Sequence, residues 1–495
     1  MDKAEDRDGG EPRAPQAAPY KVHQLVGLFL GPLAFAAIAL SPAPEGLTTA
    51  AWLTAALAAW MGVWWATEAI PLFVTALLPL VMLPLFGVLN IHAAAAPFAN
   101  PVIFLLLGGF VIGLAVERWN LHRRIAFHII LTVGNSPRRL LAGIMLATFL
   151  VSLWISNTAT TVMMLPIALS LIGAVLTSDA AHSRDAHNFT IAMVLCVAYA
   201  ATIGGMGTLI GSPPNALAAS YLDQTYNLKV TFIDWMVIAV PISATILIAA
   251  YVIVTRVTLP FSDALPGADR EEVAGMLAAL GPLTAPEKRV AALFAVVATG
   301  WVFYPLVAAR VGLDIGDTGF AVAGAIALFL IPADWRERRF LLDASVIRRV
   351  PWDVLILFGG GLSLAEAIDK SGLAAWIGSN FVVLHSMPLI VLIGGLVLLV
   401  VFASELMSNT ATAAAFLPLV ASLVVGTDVA PFLFALPIAL AASSAYMLPV
   451  GTVPNALVFG TGLIPLARMM RAGFWLNLVG AAIISGGIVV AARFF

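Results

Sequence analysis

Residues 152–160 read SLWISNTAT and residues 404–412 read SELMSNTAT, every shared position displaced by 252. Each copy lies in the middle of an apolar stretch, 140–176 and 388–426. Those stretches are too long for one bilayer crossing of ~20 residues and too short for two. A Ser-Asn-Thr triplet is costly at membrane depth unless the chain turns there and protein shields the turn from lipid. The pattern predicts two re-entrant helical hairpins with the triplets at their tips.

Outward from the triplets, the chain keeps the same character. Its 495 residues are 61% hydrophobic and 11% charged, with a mean hydropathy of +1.00. Soluble domains carry about 25% charged residues. Apolar segments fall near 23–41, 47–66, 71–89, 101–117, 188–221, 233–255, 288–308, 318–332, 352–368, 431–463 and 472–494. The predicted class is an all-α polytopic membrane protein of about 11 transmembrane helices plus the two hairpins. The composition excludes a disulfide scaffold, a disordered chain and a nucleic-acid binder. Cys196, the single cysteine, reads as a buried thiol.

Charge gives the orientation. With the N-terminus inside, 21 of the 25 Lys and Arg residues fall in predicted cytoplasmic segments, as the positive-inside rule requires. The exceptions are Lys229, Arg310, Lys370 and Arg493, and the C-terminus is predicted outside. The organisation is a disordered cytoplasmic tail, 1–20, rather than a signal peptide, then a first half, 21–256, holding spans 1–6 and the hairpin 140–176. A cytoplasmic linker, 257–287, leads to a second half, 288–495, with spans 7–11 and the hairpin 388–426. The stretch from Arg118 to Ile130 is amphipathic and is expected to lie along the cytoplasmic surface.

Two more matches join the halves. LLLGGFVIGLA (105–115) echoes LILFGGGLSLA (355–365), and GSPPNAL (211–217) is answered by GTVPNAL (451–457). Five crossings between equivalent points make the repeats inverted, the pattern of secondary transporters whose site lies at the midplane. The Gly- and Pro-bearing segments should unwind a crossing helix opposite each tip. Hydroxyls, Asn amides and freed carbonyls are hard oxygen ligands for an alkali cation, while exposed helix N-termini present N–H groups to an anion. Tip plus break, twice, predicts two cation sites flanking one anion site.

Together the paired triplets, the PN segments and WWATEAIP (64–71) resemble the divalent anion/sodium symporter (DASS) family, carriers of dicarboxylates, citrate or sulfate. The resemblance implies an elevator-type homodimer in the cell's inner or plasma membrane, with two sodium ions between tips and breaks. It implies a first sodium site of Ser152, Ser156, Asn157 and the Gly211 carbonyl, and a second of Ser404, Ser408, Asn409 and the Gly451 carbonyl. The substrate would meet Asn157, Thr158, Ser212, Asn409, Thr410, Thr452 and Val453. Val453 stands where dicarboxylate carriers of the family commonly have proline, which bears on substrate identity.

The function so implied is sodium-coupled symport of small divalent anions, C4-dicarboxylates foremost. The competing readings are a sodium-independent exchanger and a carrier of sulfate or another sulfur-containing anion. An enzyme would need a nucleophile–base pair or a metal cluster at membrane depth, and the sequence offers neither pattern. Glu68, at the inner end of the third crossing, could be a coupling acid, but reads first as an interfacial structural residue with Trp64 and Trp65 as anchors. Glu405, beside the second triplet, could either tune cation affinity or be a hydrogen-bonded structural carboxylate. The Gly205-Met206-Gly207 run reads as close packing rather than a dinucleotide loop, and the seven histidines lack metal-ligand spacing.

Overall fold

A computed structural model describes residues 20–134, 136–176, 183–263, 270–311, 315–380, 387–420 and 429–492. The tail through residue 19 and the end of the second predicted hairpin, 421–426, lie outside the described residues. Helices follow from apolar runs that must satisfy every backbone N–H and C=O internally. Among the described residues, five helical runs are long and apolar enough to cross a membrane.

The first half opens with α1 (Val22–Leu40) and α2 (Thr49–Thr67), which lie against each other. The predicted crossing 71–89 is not one helix: α3 (Leu72–Thr75) and α4 (Leu78–Leu85) replace it, followed by α5 (Ile91–Ala95). The reason is proline. Pro71 precedes α3 and Pro79 opens α4, and neither can donate to the preceding turn. Glu68 closes α2 in the left-handed conformation, φ 48°, so it ends the second crossing rather than lining the third. Trp64 and Trp65 are buried, not interfacial; Trp64 meets Trp60 edge-on at 5.1 Å.

Next come α6 (Pro101–Arg118), α7 (Leu121–Val133), α8 (Pro137–Ser152), α9 (Asn157–Leu176), α10 (Arg184–Gly205) and α11 (Pro213–Tyr226). Helix α7 coincides with the predicted amphipathic stretch and buries Leu121, His122, Ala126, Phe127 and Ile130. Helix α12 (Phe232–Val252) continues in π form through Thr258, and α13 (Arg270–Ala279) occupies the predicted linker. The second half comprises α14 (Ala285–Val311), α15 (Gly316–Leu330), a short antiparallel ladder of 332–334 with 339–340, α16 (Trp352–Lys370) and α17 (Leu373–Asn380). It ends with α18 (Leu389–Ser404), α19 (Asn409–Phe416), α20 (Phe432–Ala442), α21 (Val453–Phe459) and α22 (Leu466–Ala491).

Both triplets fall where the sequence puts the turns. Helix α8 stops at Ser152 and α9 starts at Asn157; α18 stops at Ser404 and α19 starts at Asn409. The predicted unwinding is also present, at 206–212 between α10 and α11 and at 443–452 between α20 and α21. Helix α10 is the centre of the molecule. Its apolar core is buried all round, and it touches α8, α9, α12 and α21. Cys196 lies on it, buried. The echoing glycines serve close packing: a methyl group on Gly108 would lie 2.6 Å from the Ala321 backbone, and one on Gly360 2.1 Å from the Ala76 carbonyl.

Candidate cation and anion site

The two tips and two breaks line one cavity of about 640 Å³. Ser156, Asn157, Thr158, Ser212, Ser408, Asn409, Thr410, Gly451, Thr452 and Val453 all face it. Ser152, Ser404 and Gly211 are buried behind that surface. Helices α9, α11, α19 and α21 all begin here. Helices α9 and α19 present their first N–H groups to the cavity, whereas α11, opening with Pro213-Pro214, offers only the positive end of its dipole. Phe110, Leu114 and Val162 supply an apolar wall.

Behind each tip lies an oxygen cluster. Ser152 Oγ lies 2.6 Å from the Ala201 carbonyl and 3.0 Å from Asn157 Oδ1. Ser404 Oγ lies 2.5 Å from the Ala442 carbonyl and 3.2 Å from Asn409 Oδ1. A hydroxyl has one proton and cannot donate to both oxygens. The inward atom of the Asn157 amide also faces the Ala201 carbonyl at 3.0 Å and the Gly211 carbonyl at 3.2 Å. With nitrogen inward, the amide's two protons serve the Ser152 hydroxyl and the Ala201 and Gly211 carbonyls, all within 3.2 Å. With oxygen inward, four oxygens face one another, a donor set that suits a hard monovalent cation. Ser156 and Ser408 accept from the backbone N–H groups of Ala159 (3.4 Å) and Ala411 (3.3 Å), capping α9 and α19.

Several residues hold the breaks open through contacts that only the structure shows. Asn215 Nδ2 donates to the carbonyls of Gly205 (2.9 Å), Met206 (3.1 Å) and Thr208 (2.7 Å), and Asn455 Nδ2 to those of Ala445 and Leu448, both 3.1 Å. The PN asparagines thus tie down unwound backbone rather than face the cavity. Ser212 and Ser443 hydroxyls meet at 3.0 Å and join the two breaks. Glu405 is the structural alternative of the two weighed. Its carboxylate accepts from the N–H groups of Tyr446, Met447 and Leu448 at 2.7–2.9 Å and from Asn477 at 2.8 Å. The equivalent link in the first half runs from the Thr208 hydroxyl to the Leu153 carbonyl, 2.5 Å.

The first tip is also clamped by aromatics. Trp154 is stacked with Phe232 (5.9 Å, 15°) and with Trp301 of α14 (6.4 Å, 6°). The corresponding residue of the second tip, Leu406, is 70% exposed.

Broken helices meeting two hairpin tips around one cavity are the arrangement of a multi-pass membrane transporter. Two solved structures share this fold. The Alcanivorax borkumensis YdaH transporter superposes with a TM-score of 0.51 at 15% identity, covering 95% of this chain and 97% of that one. Neisseria gonorrhoeae MtrF gives 0.56 at 13% identity, with 93% of each chain covered. Residues 22–492 match the sodium:sulfate symporter transmembrane region, and the chain belongs to that family. The sodium-dependent dicarboxylate transporter SdcS of Staphylococcus saprophyticus is 40% identical over 471 residues, 94% of this chain and 91% of the relative. SdcS of Staphylococcus aureus strain USA300 is 38% identical over 472 residues, with the same coverage of each.

Proposed function

We propose that this protein is a sodium-coupled secondary symporter of small dicarboxylates, C4 diacids foremost, and not an enzyme. The observation that carries the reading is the doubled arrangement behind the tips, where at each a serine hydroxyl lies 2.5–3.2 Å from an asparagine side-chain amide and a backbone carbonyl. Sodium is the cation that such a set of neutral oxygens would take. The first ion is held by Ser152, Ser156, Asn157 and the Gly211 carbonyl, the second by Ser404, Ser408, Asn409 and the Gly451 carbonyl. The diacid meets Asn157, Thr158, Ser212, Asn409, Thr410, Thr452 and Val453. Its negative charge is balanced by the sodium ions, by the N-termini of α9, α11 and α19, and by neutral N–H and O–H donors.

The repeats are inverted, and alternating access is an elevator movement of hairpins and broken helices within a homodimer, whose particle mass in detergent is the test. The N-terminus is cytoplasmic and the C-terminus outside, in the inner or plasma membrane. Glu68, Glu117, Arg349 and Asp353 rim the cavity and all belong to the predicted cytoplasmic side, so the state described is open inward.

Desolvating a dianion is costly, and neutral dipoles alone do not offset it. Removing sodium should weaken substrate binding at least tenfold, about 1.4 kcal/mol. Thermal shift and proteoliposome uptake with succinate, malate, citrate, sulfate and acetate, in sodium against choline, test this. Equal affinity in choline rejects coupling, and a preference for acetate or sulfate rejects the two-ended substrate.

A further inference from the structure

The cavity has a charged rim that the tips do not use. Glu68, Glu117, Asp353 and Arg349 line it beside the triplets, and Arg349 is the cation among its lining residues. Arg349 ends the short helical turn Ala344–Arg349 just ahead of α16, and its guanidinium donates to Glu117 Oε1 at the end of α6. The pair is not sealed: the Arg349 side chain is 50% exposed and Glu117 26%. Nor is it the tether between these segments. Arg118 pairs with Asp343 at 2.7 Å, and Trp119 Nε1 donates to the Leu341 carbonyl at 3.0 Å, linking the same neighbours independently.

Three carboxylates against one guanidinium leave the rim negative. Such a rim draws sodium in and repels a dianion, so the substrate needs a cation on its path. A guanidinium matches a carboxylate as a planar two-pronged fork, whether that carboxylate belongs to Glu117 or to a diacid. We propose that Arg349 is the specificity-determining relay at the cavity mouth: it exchanges Glu117 for one carboxylate of the incoming diacid and releases it toward the tips. Glu117 is the built-in competitor that keeps the relay from trapping the substrate. This rests on the dicarboxylate reading of the same cavity.

The test is initial-rate transport of labelled succinate in inside-out and right-side-out vesicles, each with sodium, over a range of ionic strength. R349Q should raise KM on one face about tenfold, the low end of electrostatic steering. It should also flatten the ionic-strength dependence there and leave the opposite face unchanged. E117Q, which frees the guanidinium, should lower KM on that same face. The thermal shift given by sodium plus succinate should be unchanged in R349Q, because the relay does not hold the bound substrate. KM changes of equal size on both faces, no change, or R349Q and E117Q moving KM in the same direction would overturn the relay, the last marking the pair as a mere tether. Wild-type vesicles that move no diacid in sodium would strike the symport reading instead, before either variant is compared.

Discussion

At Gly205 the missing side chain is what the Asn157 amide of the first proposed sodium site packs against. A methyl group there would lie 2.0 Å from Asn157 Oδ1 and 2.8 Å from its amide carbon, so alanine must push the amide off its three oxygens. Gly205→Ala should therefore remove sodium-stimulated binding as thoroughly as Asn157→Ala, more than a tenfold loss of substrate affinity at fixed sodium. Calorimetry at several sodium concentrations checks it. A Gly205→Ala protein with the wild-type sodium dependence would show that the amide has room to spare. The polar residues at the tips were legible because they stand out inside an apolar run. Gly205 was legible as a close-packing residue, though not as the one that packs on Asn157. Ala201 and Ala442 were not legible, because they act through backbone carbonyls that composition does not record. Asn215 and Asn455 were visible as a motif, yet which groups their amides reach depends on a path that the backbone takes only when unwound.

Among the elements, the turn between α13 and α14 carries a latch. Arg124 of α7 donates from Nε to Glu287 Oε1 at 3.0 Å and from its other nitrogens to the Gly281 and Leu280 carbonyls, 3.1 and 3.4 Å. Burial pushes the Glu287 carboxyl pKa up. Hydrogen bonds from Thr284 N, Thr284 Oγ1 and Arg124 outweigh that and hold it below the usual carboxylate range. A depressed folded pKa means the stabilisation is complete above the unfolded carboxylate's pKa and is lost as pH falls through the folded one. Glu287→Gln should cost about 2 kcal/mol at pH 7, and the difference from wild type should shrink as pH drops below 4.5, the ordinary value of this carboxyl. Melting of both proteins from pH 7 to 3 measures it; a difference that stays constant with pH would refute the latch. Element boundaries were legible where a polar residue or glycine interrupts an apolar run. The predicted crossing 71–89 failed because its interruption is proline alone, which raises no polar signal and still stops a helix at Pro71 and Pro79.

For the whole molecule, one question is how many chains share the fold. Helix α1 buries only Gly27 and Gly31 of its 19 residues, leaving Leu25, Val26, Phe29, Leu30 and Leu33 exposed to lipid or to a neighbour. The homodimer proposed above predicts a protein mass of about twice 51.9 kDa by light scattering of the detergent-solubilised particle. A mass of one chain would contradict it. The stack at the first tip has a further consequence at this scale. Trp154 and Trp301 hold their indole planes 6° from parallel with centroids 6.4 Å apart, one on the tip and the other on α14. Two chromophores so placed share their excited state, and the sign and size of their near-ultraviolet circular dichroism belong to the pair rather than to either ring. Moving the first hairpin relative to α14 would pull this stack apart and change its share of the near-ultraviolet signal, whereas a motion that carries both elements together would leave that share intact.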